Sequence, residues 1–133
     1  MVSIKEKEYK MSEVFRMSVL DELRELGCDI DGGLKRLSNN EALYTRLLGS
    51  FVKTIKAHAV QPDFDAADCN EAIEHTHAIK GTAGNLSITP IYEGYTQIVN
   101  QLRAGQTEEA RQRLKEVLPV QEQIIQCIEK HMA

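Results

Sequence analysis

His77-Ala78-Ile79-Lys80-Gly81-Thr82-Ala83-Gly84-Asn85-Leu86 decides how this chain is read. Wound as a helix, Ile79, Ala83 and Leu86 fall on one face with Ala72 and Ile73 upstream, and that face reads as inward. His77, Lys80, Gly81 and Gly84 fall together on another face, at spacings of three, four and seven. A glycine inside a helix costs about 1 kcal/mol relative to alanine, so two on one face have a reason. Either another molecule comes close to the bare backbone and the imidazole beside it, or neighbouring helices of the same chain pack tightly there.

Working outward, the apolar residues recur every three or four positions, and no long alternating run signals a strand. The helix carrying the motif is expected from about Ala66 to Leu86, after a break at Pro62 to Asp65. Upstream, a first helix is expected from Ser12 to Leu26, with Val19, Leu20, Leu23 and Leu26 as its stripe and Gly27 as its stop. A short second helix follows near Asp31 to Leu37, and Asn39 can adopt the left-handed backbone that ends it. Either Ser38, with Glu41 as a capping box, or Asn40 starts the third helix, which runs to about Ala59. Its apolar face comprises Leu43, Leu47, Leu48, Phe51, Val52 and Ile55. Downstream, Thr89 is expected to cap a fifth helix with Pro90 at its first position and Gly105 at its end. Thr107, with Glu108 and Glu109 in the first turn, opens the last helix, which should kink at Pro119. The pattern predicts an all-α fold in a single domain over residues 1–133. Its body is an antiparallel up-down-up-down four-helix bundle over about Asn40 to His131, with N-terminal helices over about Ser12 to Leu37 covering one end.

Composition narrows the function. Of 133 residues, 42% are hydrophobic and 27% charged, as in ordinary globular domains. The 16 lysines and arginines face 20 acidic residues, giving a net charge of −4 and no basic stripe, so nucleic-acid binding is disfavoured. No run approaches the roughly 18 apolar residues of a membrane span. Cys28, Cys69 and Cys127 are odd in number and widely spaced, which disfavours a disulfide framework. The charged start Lys5-Glu6-Lys7-Glu8 does not resemble a signal peptide, and a cytoplasmic, monomeric protein is expected.

Imidazole is a good nucleophile near neutrality and can take a phosphoryl group on a ring nitrogen. Lys80, one turn from His77, would attract that group. The chain has no Gly-Lys-Ser/Thr phosphate loop and no second glycine-rich nucleotide motif, so intrinsic catalysis and a cofactor of its own are not expected. A histidine without positioned metal or acid groups is a carrier, and a partner supplies Mg²⁺ and the stabilisation of the transition state. His58, His75 and His131 read as surface or boundary residues. A metal site using Cys69 with His75 or His77 is not expected: His-x-His splays its ligands on a helix, and Glu74 with His77 makes a lone Glu-x-x-His pair.

The stretch HAIKGTAGNL resembles the signature of histidine-containing phosphotransfer (HPt) domains. The segment GLKRLSNNEALYTRLLGSF, Gly33 to Phe51, is similar to that family's N-terminal half, and the likeness runs from about Val19 to Gly105. The resemblance implies a four-helix bundle in which His77 is phosphorylated. It implies that Lys80 supports the phosphoryl group, Gly81 leaves space for the ring and Gly84 belongs to the docking face. It further implies a middle link in a His–Asp phosphorelay, taking phosphoryl from the aspartate of one receiver domain and passing it to another. The partners would be response-regulator receivers and a hybrid sensor histidine kinase; a non-phosphorylated helical adaptor that binds such domains is the alternative. The sequence departs from the family at Asn39 and Ser87, where glycine is common, at Val99, where many members carry glutamate, and at Pro90.

Overall fold

The Ser18 hydroxyl accepts the Asp21 amide at 3.1 Å, and this cap starts a helix at Val19. The computed structural model describes residues 18–132. The part of the first expected helix before Ser18 lies outside the described residues; within them, a helix capped by Ser18 runs from Val19 to Glu25. The helices among the described residues are α1 (Val19–Glu25), α2 (Ile30–Arg36), α3 (Glu41–Ala57), α4 (Asn70–Asn85), α5 (Thr89–Arg103) and α6 (Thr107–Met132). There is no strand among the described residues. No helix among them is long and apolar enough to cross a membrane.

Local chemistry sets most of these limits. Asp29 caps α2 through the Gly32 amide. Ser38 and Asn39 both take left-handed backbone, with φ of 55° and 59°, so the cap of α3 falls to Asn40, which accepts the Leu43 amide at 3.0 Å. Helix α4 starts at Asn70 rather than Ala66. The Asp65 and Asp68 carboxylates accept the Ala67 and Asn70 amides in local turns, and that competes with an earlier helical turn. Thr89 does not cap α5. Its hydroxyl accepts the Asp29 amide at 3.1 Å and donates to the Ser87 carbonyl, while Ile88 stands at the cap position and Pro90 comes second in the helix. Helix α6 continues through Pro119. Pro119 and Lys115 are exposed, so water can reach the carbonyl that the proline leaves without an amide.

The helices enclose one core cluster running from Val19 in α1 to Ile128 in α6. Helix α5 packs along both α4 and α6; α3 touches α4 and α6; α1 lies on α6 and α2. The buried face of α3 is Tyr44, Leu48, Phe51, Val52 and Ile55, whereas Leu43 and Leu47 are half-buried. Tyr44 takes the inward place because its hydroxyl donates to the Leu86 carbonyl, so the phenol is buried without an orphaned polar atom. Thr76 is buried in α4 for a similar reason, donating to the Ala72 carbonyl at 2.7 Å.

Candidate functional site

His77 stands on the outer face of α4, exposed, with no hydrogen bond or ion pair to the described residues. The other three histidines are engaged. Nδ1 of His75 lies 2.8 Å from Nδ1 of His58, the residue that closes α3, and its Nε2 lies 3.5 Å from Glu71. His131 meets Glu22 at 2.9 Å. His75 is half-buried and bonded into a helix–helix contact, whereas the His77 ring is exposed.

The residues around His77 differ from one another in a way that spacing alone does not show. Lys80 is half-exposed and forms no ion pair among the described residues. A Cβ built at Gly81 meets nothing within 4 Å, so the space outside that backbone is open. A Cβ at Gly84 would sit 3.0 Å from the Tyr92 ring. Gly84 thus serves packing within the molecule, and Gly81 leaves the outer surface clear. From Gly81 onward runs a groove of about 480 Å³, lined by Arg36, Lys80, Gly81, Gly84, Asn85 and Tyr92, with Asp29 among its other residues.

The C-terminal end of α4 is held by the segments that carry the likeness noted above. Helix α4 has no basic residue in its last turn. Arg36, at the end of α2, supplies one: its Nη1 donates to the Gly84 carbonyl at 2.7 Å, the Asn85 carbonyl at 3.3 Å and the Ser87 hydroxyl at 2.9 Å. A cation donating to terminal carbonyls satisfies orphaned acceptors and complements the negative end of the helix dipole. Gly33 lets α2 come near, since a Cβ there would lie 2.7 Å from the Leu86 carbonyl oxygen and 2.8 Å from the Tyr44 ring. Leu86 receives the Tyr44 hydroxyl on that same carbonyl.

Two of the positions where the sequence differs from the HPt signature it resembles sit at left-handed backbone: Asn39 at φ 59° and Ser87 at φ 55°. Glycine adopts this region without strain, which explains why it is common at such places. Asn39 tolerates the region better than most residues. Ser87 gains a bond to Arg36 through its hydroxyl, and its carbonyl accepts the Asp29 amide at 3.0 Å. Val99 is fully buried in α5 and does not reach the outer face. Pro90 packs beside Gly27, whose Cβ position lies 3.5 Å from the proline ring.

Elsewhere, Glu22 joins α1 to the end of α6, accepting from Lys130 at 2.9 Å, His131 at 2.9 Å and Cys127 Sγ at 3.2 Å. Lys130 above all, with His131 and Cys127, holds the Glu22 carboxyl down to about 2. Burial pushes the thiols of Cys28 and Cys127 up to about 12, so neither is a ready nucleophile. Cys69 stands before α4 with its Sγ 3.7 Å from the Asp65 and Ala66 carbonyls. Among the described residues, no group of three or more His, Cys, Asp or Glu side chains could hold a metal ion.

No protein-family model, curated protein or solved structure matches this chain.

Proposed function

We propose that this chain is a histidine phosphocarrier of the HPt type, a middle link in a multistep His–Asp phosphorelay that works through His77. The observation that carries the reading is the bare imidazole of His77 one turn from the open backbone of Gly81. An incoming phosphoaspartate must come within bonding distance of the ring, and a side chain at Gly81 would stand in its way. The chemistry is a single displacement. A ring nitrogen attacks phosphorus, the N–P bond forms as the P–O bond to aspartate breaks, and the aspartate leaves as a carboxylate. The receiver domain supplies Mg²⁺, and Lys80 adds a cation next to the transferred group. The reverse displacement on a second receiver completes the relay.

The reading extends to the whole domain, residues 1–133. The short connections from α4 to α5 (86–88) and from α5 to α6 (104–106) favour antiparallel neighbours there, and an up-down-up-down arrangement of the four longer helices extends that pattern across the longer 58–69 segment. The chain acts in the cytoplasm as a monomer, has no nucleotide site or catalytic machinery of its own, and meets response-regulator receivers and a hybrid sensor histidine kinase.

The test is phosphoryl uptake from a phosphorylated receiver with Mg²⁺. Wild type is expected to gain an acid-labile, base-stable label, and His77→Gln none; equal labelling of the two would overturn the assignment. Lys80→Ala is expected to slow transfer with helicity intact, and an unchanged rate would make Lys80 ordinary surface charge. Binding to a receiver without transfer from any donor would favour the adaptor reading instead.

A further inference from the structure

The groove beside His77 contains an aromatic side chain that the fold does not bury. Tyr92 remains 39% exposed, and Met132 is the only other large apolar side chain left so open among the described residues. Its ring is not loose. It lies against the backbone of α4 at Gly84, where a Cβ would come within 3.0 Å of two ring carbons. The first turns of α5 fix the main chain beneath it: the Tyr92 amide donates to the Ile88 carbonyl at 2.9 Å, and Thr96 donates to the Tyr92 carbonyl at 2.6 Å. Its hydroxyl, by contrast, has no partner among the described residues. The ring is thus held in place with one face covered and a polar tip unengaged. Rigid tyrosines of this kind give a large contact area at little entropic cost, and they are enriched among the residues that dominate interfaces.

We infer that Tyr92 anchors the phosphoryl-donating receiver on this groove and so determines which receivers the protein accepts. The inference rests on the phosphocarrier reading. Its occupant is the surface of a receiver domain next to the phosphoaspartate. Charge complementarity favours that occupant. Carboxylates surround a Mg²⁺-bound phosphoaspartate, and the groove presents to them Lys80, unpaired among the described residues. Arg36 beside it is also cationic, though its Nη1 is engaged on the end of α4, and the one lining carboxylate, Asp29, already accepts the Gly32 amide. Position favours it too, because Gly81 links the groove to His77 within one helical turn. A receiver delivering phosphorus to His77 covers the groove and meets the Tyr92 ring. Tyr92 is a specificity-determining residue in this scheme; it takes no part in the displacement at phosphorus.

The experiment separates docking from chemistry. Wild type, Tyr92→Ala and Tyr92→Leu are each given two donors: phosphoramidate, which needs no protein docking, and phosphorylated receivers with Mg²⁺. Phosphoramidate should label His77 in all three at the same rate. With the best receiver, KM is expected to rise about tenfold or more in Tyr92→Ala, with kcat little changed. Tyr92→Leu keeps a side chain over Gly84, so it reports on docking even if the alanine variant loses stability, and its KM is expected to rise as well. A KM within twofold of wild type in both variants, with labelling intact, overturns the role of Tyr92 and leaves the phosphocarrier reading standing. A wild type that takes phosphoryl from neither donor overturns the phosphocarrier reading and this inference with it.

Discussion

Replacing Gly81 with alanine should make the protein more stable and a poorer phosphocarrier at once. Gly81 lies inside α4, where alanine is favoured over glycine by about 0.8–1.0 kcal/mol. Nothing lies within 4 Å of the added Cβ, so no clash offsets that gain. For a domain of this length the gain should appear as a rise of about 3–5 °C in the thermal midpoint, and as a later urea midpoint with an unchanged slope. On the proposed reading, the same methyl group enters the space that an approaching receiver occupies. Transfer from a phosphorylated receiver should fall about tenfold for Gly81→Ala and further for Gly81→Gln, while labelling by phosphoramidate is affected less. Gly84→Ala is the control. Its Cβ meets the Tyr92 ring at 3.0 Å, so its stability should be about 1 kcal/mol below that of Gly81→Ala. Urea unfolding and transfer kinetics on the same preparations check both halves. A destabilised Gly81→Ala would show that the backbone there is covered, and a Gly81→Gln protein with wild-type transfer would show that nothing docks beside it.

Arg36→Ala should cost about 1–2 kcal/mol in urea unfolding, because the Gly84 and Asn85 carbonyls and the Ser87 hydroxyl lose a charged donor. Ser87→Gly relieves left-handed backbone worth about 1 kcal/mol but gives up the Arg36 bond, so it should stabilise more in an Arg36→Ala background than in wild type. Tyr44→Phe should cost about 1–2 kcal/mol by leaving the Leu86 carbonyl without its donor, yet leave phosphoryl transfer per folded molecule unchanged; slowed transfer in a folded variant would refute a purely structural role. Glu22 ionises in the fold at about 2 against an ordinary 4.5, so its contribution is full above about pH 4.5 and is lost as pH falls toward 2. Because Lys130 is 61% exposed and solvent screens the pair, the loss should be small, and Glu22→Gln should flatten that part of the stability–pH curve.

Helical periodicity made the elements legible, since each of the six expected helices has a counterpart. It failed where tertiary partners override local preference. Tyr44 outranks Leu43 as a core residue because the Leu86 carbonyl, 42 positions away in sequence, satisfies its hydroxyl. Thr89 looks like a cap until Asp29, 60 positions away, takes its hydroxyl. Ala66 to Asp68 carry a helical composition, but two aspartates on the spot offer their backbone a competing turn. At the site, spacing alone put His77, Lys80, Gly81 and Gly84 on one face. Spacing could not separate the two glycines, because the distinction depends on the Tyr92 ring reaching across from α5. Arg36 was visible only as a letter in the stretch GLKRLSNNEALYTRLLGSF, since its role as the cap of another helix exists only once α2 and α4 are packed together.

The residues that carry the family likeness divide by what surrounds them. Gly33, Arg36, Tyr44, Gly84 and Leu86 converge on the end of α4, where they make contacts that fix that helix to α2, α3 and α5. His77, Lys80 and Gly81 make almost none, and they occupy the next turns of the same helix. On the phosphocarrier reading, a histidine that presents its ring to successive partners cannot be held by its own hydrogen bonds without losing the nucleophilic nitrogen or the access. Its orientation has to come from the helix beneath it, and an α-helix transmits orientation only as well as its end is secured. The bracing at Gly84 to Ser87 supplies that, with left-handed Ser87 and the Arg36 cap turning the chain sharply out of α4. Leaving glycine at an exposed position of α4 lowers its stability by about 1 kcal/mol. A helix with an unbraced end would feel that loss as fraying toward Gly81, so the contacts from α2 and α3 let the site stay bare without coming loose.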